Sequence, residues 1–277
     1  MNQIPLYQVD AFTDKPFRGN PAAVCILSQE LDDPKLQAIA TEMNLSETAF
    51  LTSIKRGTLN EQRNFGLRWF TPTVEVPLCG HATLATSAVL FHEIGVSASE
   101  MTFQTKSGVL KAKREGQRIL LDFPADDPVP TDPPTELLEA MGIVDFKSTA
   151  FAEKGKDLLV HLETEELVKQ LSPNFQRMKT APTEKDIQGV IVTSKGSPPY
   201  DFISRFFGPK VGVDEDPVTG AAHTILTPYW SRILGKEEMS AYQASKRGGD
   251  LTVRLESNDR VSLIGDAVIV MKGEFYI

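Results

Sequence analysis

Apolar and polar residues alternate with a period of two along much of the chain. The alternation predicts strands over residues 6–12, 22–27, 48–54, 65–70, 189–193 and 267–271. Two longer stretches, 110–121 and 251–264, alternate on both sides of a turn. Helical spacing is rarer. Leu84, Ala88, Phe91 and Ile94 fall on one face of a helix that Gly80 opens and Gly95 closes. A second helix runs between Gly220 and Gly235, where Pro228 is expected to kink or divide it. A third begins at Pro34 and runs to Met43, with Asp32 or Asp33 as its cap.

These elements recur. The Gly80 and Gly220 helices are offset by 140 residues. The segments before them, Arg68-Trp69-Phe70-Thr71-Pro72 and Arg205-Phe206-Phe207-Gly208-Pro209, are offset by 137. Phe103-Gln104 matches Tyr242-Gln243, and Gly108-Val109-Leu110 matches Gly249-Asp250-Leu251, at offsets of 139 and 141. Four matches in one order predict an internal duplication, too long in period for a solenoid. Each half holds about seven strands around one principal helix. Strands follow one another directly too often for a doubly wound parallel sheet. The boundary falls in the proline-rich segment 124–134, which is expected to continue neither a ladder nor a helix. The halves are 1–124 and 125–277.

Composition narrows the function. The chain has 277 residues, 41% hydrophobic and 24% charged, which excludes a disordered chain or a rod. A net charge of −8 argues against a nucleic-acid surface or an anionic membrane as partner. No apolar run is long enough to span a membrane, and the first residues do not read as a secretory signal. The two cysteines, Cys25 and Cys79, suit a reducing compartment, so a cytoplasmic location is expected.

Nucleotide-binding, nucleophile-elbow and zinc-protease motifs are absent. The four histidines, two cysteines and the carboxylates form no close cluster along the sequence, so no metal is expected. The chemistry-bearing candidates sit at the two principal helix starts. Gly80, His81 and Ala82 open one, and Gly220 and Ala221 the other. Small residues there leave backbone N–H groups open to an anion at a positive helix end; equally, glycine permits tight helix–sheet packing. That helix end pushes His81 toward its neutral form, able to hydrogen-bond a substrate. Cys79 sits where a thiolate is stabilised, but the matching loop has no cysteine for a two-thiol mechanism. Cys25 reads as core, and His92, His161 and His223 as structural. Glu47 opens an otherwise apolar strand, where partial burial suits proton transfer, although its spacing from Asn44 is also that of a capping box. Asp216 before Pro217 reads equally as a helix cap with proline at the first helical position.

Taken together, four segments resemble the phenazine-biosynthesis-like (PhzF) family, within the diaminopimelate epimerase-like fold. They are Val9-Asp10-Ala11-Phe12-Thr13 with Phe17-Arg18-Gly19-Asn20-Pro21-Ala22-Ala23-Val24; Asn44-Leu45-Ser46-Glu47-Thr48-Ala49-Phe50; Phe70-Thr71-Pro72 with Glu75-Val76-Pro77-Leu78-Cys79-Gly80-His81-Ala82-Thr83; and Glu215-Asp216-Pro217-Val218-Thr219-Gly220. Their order and span are those of the family, and they look most like its animal members. The resemblance implies an α+β fold of two pseudo-symmetric domains, each a β-barrel-like roll around a central helix, with an active site in the cleft between them. It implies a cofactor-free, metal-free isomerase, often a homodimer. Glu47 would be the proton-shuttling glutamate, with His81 and Asp216 as its partners and Gly80 and Gly220 binding the anion. Ala221 departs from the serine often found at that position, which removes a hydroxyl donor and puts the family's dihydro-hydroxyanthranilate substrate in doubt.

The reading is therefore an isomerase that moves a proton between carbons of a small carboxylate. The alternatives are an amino-acid racemase or epimerase using Cys79, and a catalytically silent metabolite-binding or protein-interaction protein.

Overall fold

The computed structural model describes residues 3–52 and 59–277. Ser53 and Ile54, the end of one expected strand, lie outside the described residues, as do Met1 and Asn2. The chain forms two compact units, Met1–Asp122 with Ile264–Ile277, and Phe123–Leu263. The sequence pattern suggests one boundary, at 124; the units have two, because the C-terminal strand Ala267–Tyr276 pairs antiparallel with the first strand.

The first unit runs β1 (Gln3–Ala11), β2 (Asn20–Ile26), α1 (Asp33–Met43), β3 (Glu47–Thr52), β4 (Asn64–Phe70), β5 (Glu75–Val76), α2 (Gly80–Ala88), β6 (Glu100–Thr105), β7 (Gly108–Glu115) and β8 (Arg118–Pro124). β1 pairs antiparallel with β2, β2 parallel with β3, and β3 antiparallel with β4. β4 pairs antiparallel with β5 and parallel with β6, and β6 antiparallel with β7. Both faces of this sheet are covered. Ala23, Cys25, Phe50 and Phe70 pack with Leu36, Ile39 and Ala40 of α1. α2 lies against β1, β2, β3 and the C-terminal strand, and every residue from His81 to Ala88 is buried. That is the central helix of a roll, and it explains why β2 is apolar on both faces. Asp32, not Asp33, caps α1 by accepting the Lys35 N–H. Past Ala88 the helix widens into a π-turn over Val89–Glu93, where the Ile94 N–H reaches the Val89 carbonyl.

The second unit runs β9 (Val129–Pro130), α3 (Thr135–Met141), β10 (Ser148–Ala152), β11 (Asp157–His161), α4 (Glu165–Gln170), α5 (Phe175–Thr180), β12 (Gly189–Lys195), β13 (Phe202–Gly208), β14 (Val213–Asp216), α6 (Gly220–Leu234), β15 (Glu238–Gln243) and β16 (Gly249–Glu256). Its ladders repeat those of the first unit one for one. β10 is antiparallel to β11, β11 parallel to β12, and β12 antiparallel to β13. β13 is antiparallel to β14 and parallel to β15, and β15 antiparallel to β16.

Two local expectations are corrected. The proline-rich segment does enter a ladder: Val129 and Pro130 pair with Phe151 and Ala150 of β10. Two residues at an edge tolerate a missing N–H. Pro228 does not divide α6, which runs unbroken from Gly220 to Leu234. Proline cannot donate to the Thr224 carbonyl one turn back; the Asp126 N–H does so instead. Among the described residues, no helix is long and apolar enough to cross a membrane.

Candidate active site

In the first unit three chain segments converge. β2 and β3 are parallel, with Ala22 opposite Glu47, so Asn20 and Glu47 lie at the same end of the pair. α2 lies across these strands and brings its first turn to that end. Gly19 makes the approach to Asn20 possible: its φ is +63°, and a Cβ there would sit 2.1 Å from the Ala11 carbonyl oxygen.

The convergence puts His81 between three partners. Its Nε2 lies 3.1 Å from Oε2 of Glu47. Its Nδ1 lies 3.2 Å from Nδ2 of Asn20 and 3.6 Å from Sγ of Cys79. His81 and Cys79 are buried, while the Glu47 side chain keeps 18% of its exposure, enough for solvent or a ligand to reach it. Burial opposes a charge on His81, but Cys79 and the Glu47 carboxylate outweigh it and raise its pKa well above the usual imidazole value. The helix end alone predicts the opposite direction; the difference is made by the Cys79 sulfur and the Glu47 carboxylate beside the ring. Burial, and then the negative charge of Glu47, push the Cys79 thiol up. Gly80 is half-buried, His81 and Ala82 are buried, and the first N–H groups of α2 have no carbonyl one turn back to receive them. Glu47, Cys79 and His81, which form no cluster along the sequence, thus bring their ligand atoms within 4.8 Å of one another.

In the second unit Asp216 does not cap a helix. It ends β14, and α6 begins four residues later with Thr219 as its cap. The Asp216 carboxylate accepts from the Thr219 hydroxyl at 2.5 Å. Gln243, fully buried at the end of β15, holds this loop: its amide nitrogen donates to the Asp216 carbonyl, and its oxygen accepts the Thr219 N–H. Gly220 is buried and Ala221 exposed at the first turn of α6. His223 donates from Nδ1 to the Thr219 carbonyl at 2.8 Å, and burial pushes its pKa down to about 4, so it serves as a neutral brace.

Each loop is anchored by the same device. Arg68 donates twice to Glu75, both at 2.8 Å, and lies over the Phe70 ring. Arg205 donates twice to Glu215, at 2.7 and 3.0 Å, and lies over Phe207. The Arg68 hydrogen bonds hold the Glu75 carboxyl below its usual range. Sequence reasoning did not select Asn20 or Gln243 as site residues. The sequence signal for Asn20 is an amide between Gly19 and Pro21 in the segment that leads into β2; for Gln243, it is the match with Gln104.

Comparison with known proteins agrees with this architecture. An uncharacterized isomerase of Halalkalibacterium halodurans is 48% identical to the chain, over 100% of both chains. The phenazine biosynthesis-like domain-containing protein 1 of Mus musculus is 45% identical, over 98% of both. The crystal structure of a PhzF family protein from Enterococcus faecalis has a TM-score of 0.89 at 41% identity, over 100% of both. A hydroxyproline epimerase from Agrobacterium vitis shares the fold, with a TM-score of 0.60 at 12% identity over 98% of this chain and 92% of its own. The family model of phenazine biosynthesis-like proteins, PhzC-PhzF, matches residues 9–273, and the chain belongs to that family.

Proposed function

We propose that the protein is an isomerase that moves a proton between carbons, or between faces of one carbon, of a small carboxylate. The observation that carries this reading is the contact of Glu47 with His81 at the first turn of α2, where a carboxylate base and an anion-binding helix end meet. The isomerase names of bacterial relatives support the reaction class. Glu47 takes a proton from the carbon beside the substrate's carboxylate. The C–H electron pair moves onto that carboxylate as an enediolate. Glu47, now a carboxylic acid, returns the proton to the other face of that carbon or, where a C=C adjoins the enediolate, to the far carbon of that bond as the double bond shifts, and neither redox change nor cofactor is required. The imidazolium of His81 holds Glu47 in place, and the Gly80 N–H takes the developing negative charge, while the Ala82 N–H is held by the Cys79 sulfur. Asp216, Gly220 and Ala221 supply the second polar set for the same substrate. A cytoplasmic homodimer belongs to the same reading, and light scattering tests the dimer.

A second reading rests on the 3.6 Å contact between Cys79 and His81: an epimerase with Cys79 as one of its acid–base groups. A thiol whose pKa is pushed up is a poor base near neutral pH, so Glu47 is favoured. The test is NMR of deuterium incorporation from heavy water into a panel of cyclic and amino carboxylates. Glu47→Gln should lower exchange by about 10²–10⁴-fold with the fold intact. Full exchange in that variant sinks the assignment. Exchange lost in Cys79→Ser but kept in Glu47→Gln selects the second reading. Ligand binding without exchange or product in the wild type selects a silent binding protein.

A further inference from the structure

We propose that Glu47, Cys79 and His81 bind a thiolate-seeking divalent cation of the zinc type, and that the cation blocks the site rather than working in it. The three side chains offer one carboxylate oxygen, one sulfur and one imidazole nitrogen within 4.8 Å of one another. Two of the donors already have the spacing a metal requires. With Zn–S near 2.3 Å and Zn–N near 2.0–2.1 Å, sulfur and nitrogen in a tetrahedral site stand about 3.6 Å apart. Cys79 Sγ and His81 Nδ1 are 3.6 Å apart.

The third donor needs a side-chain movement. Glu47 faces the other ring nitrogen, Nε2, and must swing toward Sγ. It is the partly exposed member of the three and sits on rotatable bonds at the start of β3, so the swing leaves the ladder intact. Nδ1 exchanges its contact with Asn20 for the metal, and water completes the tetrahedron. As the Zn–S bond forms, the S–H bond breaks and its proton passes to the buffer; the metal stays divalent. A sulfur and a nitrogen donor favour zinc or cobalt over magnesium or calcium, which prefer all-oxygen sites. The occupied site has Glu47 as a ligand and no free base. That blocking effect rests on the proposed role of Glu47, whereas the binding rests on donor geometry alone.

The test is titration of the reduced, full-length protein with Co²⁺. The expected result is a thiolate-to-cobalt charge-transfer band that saturates at one equivalent and is displaced by Zn²⁺. Loss of a partner behind the ligands costs a metal site 10–100-fold, so loss of the ligand in Cys79→Ser should weaken binding at least about 100-fold. His81→Gln should do the same with the thiol intact, which covers the case where Cys79→Ser fails to fold. Cys25→Ser should keep the band. No band at millimolar Co²⁺, or a band that survives in Cys79→Ser, overturns the site. Proton exchange that stops with Zn²⁺ and returns with a chelator supports the blocking effect; exchange that continues at saturating Zn²⁺ overturns it. A cobalt band in a metal-competent protein that exchanges no proton sinks the proton-transfer reading and leaves the metal site standing.

Discussion

Asp157, the first residue of β11, carries its carboxyl into the interior of the second unit beside Asp126; the two are only 5% and 7% exposed. Asp126 accepts the Gly155 N–H at 2.8 Å. Burial, then the charge of Asp126, push Asp157 up to about 7, against the pull of the Gly189 N–H. The sign of the stability effect follows. The folded protein holds this proton to about pH 7, and the unfolded chain releases it near pH 4. The stabilisation is therefore complete below about pH 4 and is lost as pH rises through 7. A displacement of that size corresponds to about 4 kcal/mol. Asp157→Asn, which keeps a hydrogen-bonding oxygen, should flatten the fall in stability between about pH 4 and 7 measured by urea unfolding. An unchanged slope would refute the assignment. The same close approach explains Gly189: a Cβ there would stand 2.5 Å from the Asp157 carboxylate and 2.4 Å from the Phe206 ring.

At the scale of elements, legibility tracked how local the cause was. The cap of α1 is a local effect: Asp32 accepts the Lys35 N–H and Pro34 follows. Asp32→Ala should cost about 1 kcal/mol in urea unfolding, and Asp32→Asn, which keeps the capping oxygen, much less. Equal losses in both would assign the effect to the exposed Lys35 contact instead. The glycines that bound α2 and α6 marked where those helices begin. The π-turn after Ala88 left no mark, because a single widened turn changes no periodicity. α3, α4 and α5 span two turns at most, too short for a 3.6-residue pattern to stand out. Local rules misled at Asp216, where Asp-Pro reads as cap and first turn but the chain runs on to Thr219 before α6 begins. Glu47 was legible because a carboxylate opening an apolar strand is chemically odd. Its contact with His81 was not, because it depends on the parallel pairing of β2 with β3 and on α2 crossing both.

At the scale of the molecule, the duplication was visible in four matched segments, and the ladders repeat strand for strand. The return of the C-terminal strand to the first unit was not visible, since nothing near 267–276 names a partner more than 250 residues away. That strand pairs with β1 along its whole length, with a register shift between Gln8 and Val9, and it also lies against α2. Its removal would strip β1 of one of its two ladders and leave it an unpaired edge in the first unit. The chain carries two tryptophans, both buried, one in each unit: Trp69 on β4 and Trp230 on α6. Trp230 also donates to the Thr193 hydroxyl on β12. Single-tryptophan variants, Trp69→Phe and Trp230→Phe, therefore report the two units separately. Truncation before Ala267 should move the Trp69 transition to lower urea and leave the Trp230 transition nearly in place. Equal movement of both would mean that the strand supports the whole chain as one cooperative unit. Movement of neither would mean that its ladder contributes little, and that α2 holds the first unit together through β1, β2 and β3 alone.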